Sequence, residues 1–240
     1  MNGSKKTQTE VSGFKASCLE KMFAQNGEKR PRLRLAGFEG DWTCLRFGDC
    51  MSMLANNTLP RACLTTAASG VSNIHYGDVL IKYGAILDAN KTVLPKIRGR
   101  YNIAAKAFLH DGDVIFADTA EDEMVGKCCE LRCDHDWQIV SGLHTIPCRP
   151  NFTAGRCYLG YYFNSGAFHS QLLSLMQGTK VISITRKSLS ETMIQLPPTV
   201  AEQEAIGKFF EDLDKMVELQ EKKVEKLRHV KAGCLERMFG

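Results

Sequence analysis

The chain has 240 residues, 44% hydrophobic and 24% charged, enough to bury a substantial core in one globular domain plus an extended element. No apolar run approaches the roughly 20 residues of a membrane-spanning helix, and no apolar stretch follows the first lysines, which excludes a signal peptide. The net charge of +4 is too small for a general polycation, and ten irregularly spaced cysteines indicate reduced thiols and a cytoplasmic location.

The first predicted element is the end of a helix whose sequence recurs at the other end of the chain. Lys15–Phe23 reads KASCLEKMF and Lys231–Phe239 reads KAGCLERMF, so seven of nine positions are identical. Two similar amphipathic helix ends would explain this match. The interpretation we prefer is one unit of a tandem architecture, which would pair with a copy of itself.

The middle of the chain reads as a mixed α+β domain. Turn signals of the Gly-Asp type precede two β-rich runs, and a polar Asn164-Ser165 break separates two helical patterns. Pro31 to Trp42 is predicted to be a loop leading into a short strand. The further predicted elements are strands over 77–84, 112–117, 140–147 and 181–184, the last of them before the prolines, and helices over 158–163 and 166–176.

The C-terminal segment predicts one long helix. Two prolines end the preceding strand, Thr199 is a favourable N-cap, and Glu202 completes a Thr-x-x-Glu capping box. About 39 residues would form a rod of roughly 58 Å. Apolar residues occupy eight of ten positions in a 4-3-4-3 spacing typical of a coiled coil: Ile206, Phe210, Leu213, Val217, Gln220, Val224, Leu227, Lys231, Cys234 and Met238.

The predicted fold class is therefore α+β, with one mixed α/β domain followed by a long coiled-coil helix. The predicted limits are 1–30 for a helix end and linker, 31–197 for the domain, and 198–240 for the long helix. That helix could fold back on its own domain. We prefer an antiparallel pair shared with another chain, in which Gln220 and Lys231 help to set the register.

Motifs that would make the chain an enzyme are absent from the sequence. An amino-methyltransferase would need an Asn/Asp-Pro-Pro-Tyr/Phe loop, and Pro197-Pro198 lacks both flanking residues. No phosphate-binding Gly-x4-Gly-Lys-Ser/Thr loop is present. The possible zinc ligands include no Cys-x2-Cys pair, so we predict no metal site and no catalytic residue; they are Cys128, Cys129, Cys133, His135, Cys148 and Cys157.

Basic residues suggest nucleic-acid binding instead. Arg and Asn can hold guanine and adenine edges, and Lys serves phosphate contact. An exposed basic loop that only improves solubility is the alternative. The stronger candidates cluster around Tyr101 and are Lys96, Arg98, Arg100, Asn102 and Lys106; the weaker ones are Lys82, Arg149, Arg156, Lys180 and Arg186.

These features together resemble a known family. The run from Leu196-Pro197-Pro198 through Glu202–Phe210 to Met238-Phe239 is similar to the spacer region of type I restriction-modification specificity subunits. Gly77–Gly84 and Gly112–Thr119 resemble that family's target recognition domain. Family members usually carry two such domains and two antiparallel spacer helices. This chain has one of each, so it resembles a half-size specificity subunit.

The resemblance implies a non-catalytic protein that recognises double-stranded DNA. Its partners would be a methyltransferase subunit, which uses S-adenosylmethionine, and a translocating endonuclease subunit. Two copies related by a two-fold axis would read a palindromic, gapped site. The alternatives are a coiled-coil scaffold, or a silent recombination cassette, whose domain does not bind DNA by itself. A self-sufficient enzyme is opposed by the missing motifs.

Overall fold

The computed structural model describes residues 2–25, 27–66, 69–99, 101–134, 137–176 and 181–239. It confirms a mixed α/β domain followed by a long helix. The helices are α1 (Asn2–Lys21), α2 (Phe47–Cys50), α3 (Tyr76–Ile81), α4 (Tyr158–Phe163), α5 (Gly166–Leu173), α6 (Arg186–Ser190) and α7 (Val200–Phe239). The strands are β1 (Thr43–Arg46), β2 (Met51–Met53), β3 (Leu64–Thr65), β4 (Ser72–Ile74), β5 (Ile86–Asp88), β6 (Lys96–Ile97), β7 (Val114–Ala117), β8 (Thr119–Ala120), β9 (Cys128–Arg132), β10 (Ile139–Ser141), β11 (Thr145–Pro150), β12 (Ile182–Ser183) and β13 (Met193–Leu196).

A five-stranded sheet in the order β2-β11-β7-β9-β5 lies at the centre of the domain. Its pairs are antiparallel except β5 with β9, which is parallel. Every residue of β7 is buried, because both faces of the sheet are covered. Val114 and Phe116 belong to the core on one face, and Ile115 and Ala117 to the core on the other.

A second sheet, in the order β10-β4-β6-β3, borders the first and carries the candidate site. Leu64, Ile97 and Val140 form a small core of their own beneath it. The two remaining sheets have two strands each, β1 with β13 and β12 with β8, and all their pairs are antiparallel.

Several predicted elements are confirmed. The helix pair is present as α4 and α5, separated at Asn164-Ser165, and the strands after Gly112 and around Val140 are present as β7, β10 and β11. The side chain of Asn164 secures the break between the helices. It donates to the carbonyls of Cys128 and Gly160, at 2.9 and 2.7 Å.

One strand prediction is wrong, and another is correct only in part. The segment after Tyr76 forms α3 rather than a strand, because the imidazole of His75 caps it by accepting from the Gly77 amide at 3.2 Å. The short apolar run that follows is compatible with either structure, and tertiary contacts decide. The strand predicted over 181–184 is present as β12, but it is not the last strand. α6 and β13 follow, and β13 pairs with β1.

The predicted cap of α7 is present in part. The Thr199 hydroxyl accepts from the Glu202 amide at 3.2 Å, as a capping box requires. The Glu202 carboxylate instead accepts two bonds from Arg34, from Nε at 2.7 Å and from Nη2 at 2.8 Å. The loop after α1 is therefore tied to the start of α7.

The long helix packs first on its own chain. α1 lies antiparallel against α7: Lys15 pairs with Asp214, while Phe23 stacks on Phe210 with ring centroids 5.6 Å apart. One hydrophobic core joins residues of α1, of the central sheet and of α7. Within the described residues, no helix is long and apolar enough to span a bilayer.

Candidate nucleic-acid interface

A basic groove lies between α3 and the sheet that contains β3 and β6. Its volume is about 460 Å³, and Arg61, Lys82 and Arg98 provide its positive charge. The structure thus brings together two of the predicted residues, Lys82 and Arg98, which are 16 positions apart in sequence. The other lining residues are Leu64, Thr65, Thr66, Val93, Leu94 and Pro95.

Asp78 holds two of these cations in place. Its carboxylate, 1% exposed, accepts from Arg61 Nη1 at 2.5 Å and Nη2 at 2.8 Å, and lies 2.8 Å from Lys82 Nζ. Burial alone would raise the pKa of Asp78, but the hydrogen bonds from Arg61 and Lys82 outweigh it and the pKa is lowered. One anion between two cations leaves a net positive charge.

The two cations remain accessible to a ligand. The side chains of Arg61 and Lys82 are 51% and 59% exposed. A guanidinium has five N–H donors and an ammonium three, so donors remain beyond those that Asp78 accepts. The arrangement suits phosphate oxygens, because an arginine can donate two parallel hydrogen bonds to a phosphate and a lysine can bind it as a single charge.

The basic loop after β6 is anchored beside this groove. The Arg98 amide donates to the Cys63 carbonyl at 2.7 Å, in the 3-10 turn Arg61–Cys63. Asn102 and Lys106 are exposed farther along, with Lys106 in the 3-10 turn Ala105–Ala107. The loop can therefore present side chains beside the groove without being part of the core.

Three other predicted residues form contacts within the chain. Lys96 donates to the Ser72 hydroxyl at 2.6 Å. The guanidinium of Arg149 forms two 2.7 Å hydrogen bonds with Asp113, from Nε and from Nη2. Arg186 donates to the carbonyl of Leu54 at 2.8 Å and to the amide oxygen of Asn56 at 3.0 Å. These contacts stabilise the fold, so a DNA-binding role for the three stays a prediction.

Three predicted residues remain. Arg156 is exposed just before α4, beside α7. Arg100 and Lys180 lie outside the described residues. Arg61 was missed by sequence reasoning, because only its tertiary ion pair with Asp78 places it beside Lys82, and no local pattern marks it.

The predicted dimerisation residues divide into two groups. Ile206, Phe210 and Leu213 are buried by the same chain, and so is Val224, at 7% exposure. Their burial does not require a second chain. Val217 and Gln220 are half-buried, whereas Leu227, Cys234 and Met238 are exposed. The pairing of two chains stays a prediction.

The cysteines are free thiols. Burial raises the pKa of Cys129 and of Cys157 to about 12, which disfavours the reactive thiolate. Among the residues that the structure describes, no three His, Cys, Asp or Glu side chains are grouped to hold a metal ion. His135 lies outside the described residues.

Comparison with known proteins supports the resemblance seen in the sequence. Residues 140–229 match the family model described as the type I restriction modification DNA specificity domain. The resemblance is thereby confirmed over the region that runs from β10 into α7. No curated protein sequence matches the chain.

Three solved structures share the fold. The HsdS subunit from Thermoanaerobacter tengcongensis matches with a TM-score of 0.61 and 16% identity, over 99% of this chain and 53% of that one. A chain from a study of complex assembly and conformational transition of the type I R-M system matches at 0.62 and 17%, over 98% and 53%. The S subunit from M. genitalium matches at 0.52 and 14%, over 86% and 48%. The chain spans about half the length of these structures.

Proposed function

We propose that this chain is a DNA-recognition subunit of a type I restriction-modification complex. It is non-catalytic and directs a methyltransferase subunit, which carries S-adenosylmethionine, and a translocating endonuclease subunit to a split DNA site. The observation that carries this proposal is the match of residues 140–229 to the type I DNA specificity domain. That region contributes strands to both larger sheets and the first part of α7.

The geometry of the basic groove supports the proposal. Arg61 and Lys82 are half-exposed cations held by one buried carboxylate, and Arg98 begins the loop beside them. Phosphate contacts of this type position a protein on DNA, and base contacts from a neighbouring loop give specificity. Asn102, which is exposed in that loop, is the candidate for adenine recognition.

Two copies of the chain provide the two halves of the DNA site. Each copy has one recognition domain and one long helix, so a two-fold pair presents two identical domains to identical half-sites. The length of α7 separates the domains and thereby sets the gap. The expected target is a palindrome with an unspecified centre.

The test uses the complex rather than the isolated chain. The tagged chain is purified from its source together with a subunit that carries an Asn/Asp-Pro-Pro-Tyr/Phe loop, and the methylated positions are mapped on DNA. We expect one gapped, palindromic target. The affinity for DNA should fall steeply with salt, with a slope of about 0.9 per phosphate contact on a log–log scale.

Groove variants identify the DNA-binding face. Arg61→Ala and Arg98→Ala should each weaken DNA binding and lower the salt slope by about one. The matched control is Lys208→Ala, an exposed cation on α7 that pairs with Asp212 at 2.8 Å, and it should leave binding unchanged. If all three variants changed DNA binding equally, the groove would not be the DNA-binding face. DNA binding without salt dependence or sequence preference would reject the function and favour a scaffold.

A further inference from the structure

The last turns of α7 carry an apolar face that the described part of the chain leaves exposed. Leu227 and Leu235 are each 45% exposed, and Met238 is 72% exposed. An α-helix presents residues three and four apart on one face, so these side chains share a face with Lys231 and Cys234. A contiguous exposed apolar face of this kind is typical of an interaction site.

The sequence repeat shows what this face resembles. Shifted back by 216 positions, Leu227, Lys231, Cys234, Leu235 and Met238 correspond to Val11, Lys15, Cys18, Leu19 and Met22. At the end of α1 that face is the inner one, since Cys18 in the helix and Met22 just after it are each 2% exposed. The outer faces correspond as well: Phe14 is 54% exposed, and its counterpart Val230 is 60% exposed.

The inner face of α1 occupies a defined groove. The ring of Phe23 lies among Tyr158, Tyr162 and Phe210, with centroid distances of 5.8, 5.6 and 5.6 Å. Lys15 pairs with Asp214, and its ammonium also lies 5.6 Å from the centroid of the Tyr161 ring. We call this surface of α4 and the first half of α7 the α1 groove.

We propose that residues 231–239 are a docking segment, and that they bind the α1 groove of a second copy of this chain by displacing its own residues 15–23. The argument is that a nearly identical sequence already fills this groove with the same face turned inward. The inference rests on the proposed pairing of two copies. It adds the register, the binding surface and the competition within each chain.

The register that follows is consistent with one two-fold axis. In the pair, Lys231 would lie opposite Asp214 of the second copy, as Lys15 does within the chain, and Phe239 opposite Phe210, as Phe23 does. The midpoints of these pairs, 222.5 and 224.5, are two positions apart, between Lys222 and Glu225, so both lie within one turn of the helix. A two-fold interface requires every contact to recur about one axis, and an antiparallel pair of helices meets this condition.

The α1 groove can bind either α1 of the same chain or the end of α7 of a second copy, and a different factor favours each of them. Extrapolated from Lys15 opposite Asp214, α1 reaches back only to about residue 227 of α7, where exposure of the helix begins. A second α7 would continue beyond that point and bury the exposed face. The connection within the chain favours α1, because the loop that Arg34 ties to Glu202 keeps α1 beside the groove and so raises its effective concentration there. The pair is therefore expected to form with rising protein concentration.

The repeat allows one substitution to be made in two nearly identical contexts. Leu19→Asp weakens the segment that binds within the chain, and Leu235→Asp weakens the docking segment. We expect opposite effects on the dimer dissociation constant measured by sedimentation velocity over a concentration series. Leu235→Asp should raise it by about tenfold or more, and Leu19→Asp should lower it by a similar factor, because each puts a carboxylate against the apolar groove in place of a leucine. The double variant should be monomeric.

Controls separate docking from loss of the fold. Val230→Asp adds the same charge on the outer face and should leave the dissociation constant unchanged. Lys15→Glu and Lys231→Glu repeat the comparison with a milder change, and circular dichroism checks that each variant is folded. Effects of the same sign at positions 19 and 235, or a wild-type chain and Leu19→Asp variant that are monomeric at every concentration, would overturn the proposal.

The mass measurement does not depend on DNA. A chain that dimerises through Leu235 but shows no sequence-specific DNA binding would retain this inference and reject the proposed function. If instead the complex methylates a specific site, and Leu235→Asp does not change the mass of the chain in solution, the proposed function would stand and this inference would be rejected.

Discussion

Glu130 illustrates how one buried carboxylate can hold the start of a helix. It is 2% exposed, and it accepts from the amides of Cys157 at 2.8 Å and Gly160 at 2.9 Å. Cys157 has a left-handed backbone (φ of 62°) immediately before α4. A carboxylate at a helix N-terminus satisfies free N–H groups and interacts favourably with the helix dipole. Glu130 therefore positions the aromatic residues of α4.

At mildly acidic pH, where Glu130 is protonated, Glu130→Gln should destabilise the chain by about 1–3 kcal/mol, because an amide nitrogen cannot accept from a buried N–H as either oxygen of a carboxyl group can. Urea unfolding measures the change. Glu121→Gln, an exposed substitution, is the control and should have no effect beyond about 0.5 kcal/mol. Equal stability of the two variants would show that the Glu130 bonds contribute nothing.

The same residue predicts a pH dependence. Burial raises the pKa of Glu130 from 4.5 to about 7, although its hydrogen bonds with Gly160 and Cys157 oppose this. The folded state then holds the proton more tightly than the unfolded state, so this contribution is fully present below pH 4.5 and is lost as pH rises through about 7. The free energy of unfolding of the wild type minus that of Glu130→Gln should fall across this interval. A difference independent of pH would contradict the assignment.

His75 predicts a pH dependence of stability opposite in sign to that of Glu130. Burial is the largest cause of its lowered pKa, Arg61 and His144 lower it further, and Asp78 opposes them. Its ring must stay neutral to accept from the Gly77 amide. The contribution is therefore present above pH 6.5 and is lost as pH falls. NMR titration should give a pKa below 6.5, and His75→Asn, which keeps a capping side chain, should reduce the loss of stability on acidification.

At the scale of elements, α7 depends on a close approach to the segment before α4. A Cβ atom placed on Gly207 would lie 2.2 Å from the Arg156 carbonyl oxygen, nearer than any real contact. Gly155 faces the same helix, where a Cβ atom would lie 2.4 Å from the Cβ of Gln203. Both glycines permit a helix–loop distance that no other residue allows.

Two glycines of α7 should therefore respond oppositely to alanine. Gly207→Ala should cost about 1–3 kcal/mol of stability, since overpacking outweighs the better helix propensity of alanine. Gly233→Ala has open space around its Cβ and should stabilise the helix by about 0.5–1 kcal/mol. Thermal unfolding at low protein concentration, below the range of pairing, measures both changes. Destabilisation of similar size at both sites would contradict the packing argument.

At the scale of the whole molecule, one core crosses all three predicted segments. Cys18 of α1, Phe116 of β7 and Phe210 of α7 belong to the same cluster. Elements that share a core unfold together in a small protein. The last turns of α7 are different, because the described side chains from Glu225 to Met238 are exposed apart from Gly233.

Urea unfolding followed by helical ellipticity and by Trp42 fluorescence should therefore give two different curves. Trp42, which is 4% exposed, reports the shared core, and Trp137→Phe removes the exposed second tryptophan. In dilute solution, helical ellipticity should begin to fall at a lower urea concentration than Trp42 fluorescence, since the exposed helix end frays independently. Coincident curves would show that the helix end is held as firmly as the core.

How much the sequence could predict depended on how local the cause was. The helix pair of α4 and α5 was predictable, because its polar break is continuous in sequence. The segment after Tyr76 was not, because a short apolar run fits either structure and His75 decides from outside it. The capping box at Thr199 was half correct: Thr199 acts locally, whereas Glu202 binds Arg34, 168 positions away.

The sequence by itself determined the long helix, the repeat of its last nine residues at the other end of the chain, and the resemblance to a DNA specificity subunit. Each is a pattern of neighbouring residues, for which helical periodicity and side-chain chemistry suffice. Only the tertiary structure decided that Asp78 gathers Arg61 and Lys82 into one groove, and that α1 covers the first half of α7. Contacts between distant residues depend on how the chain closes on itself, and no local pattern carries that information.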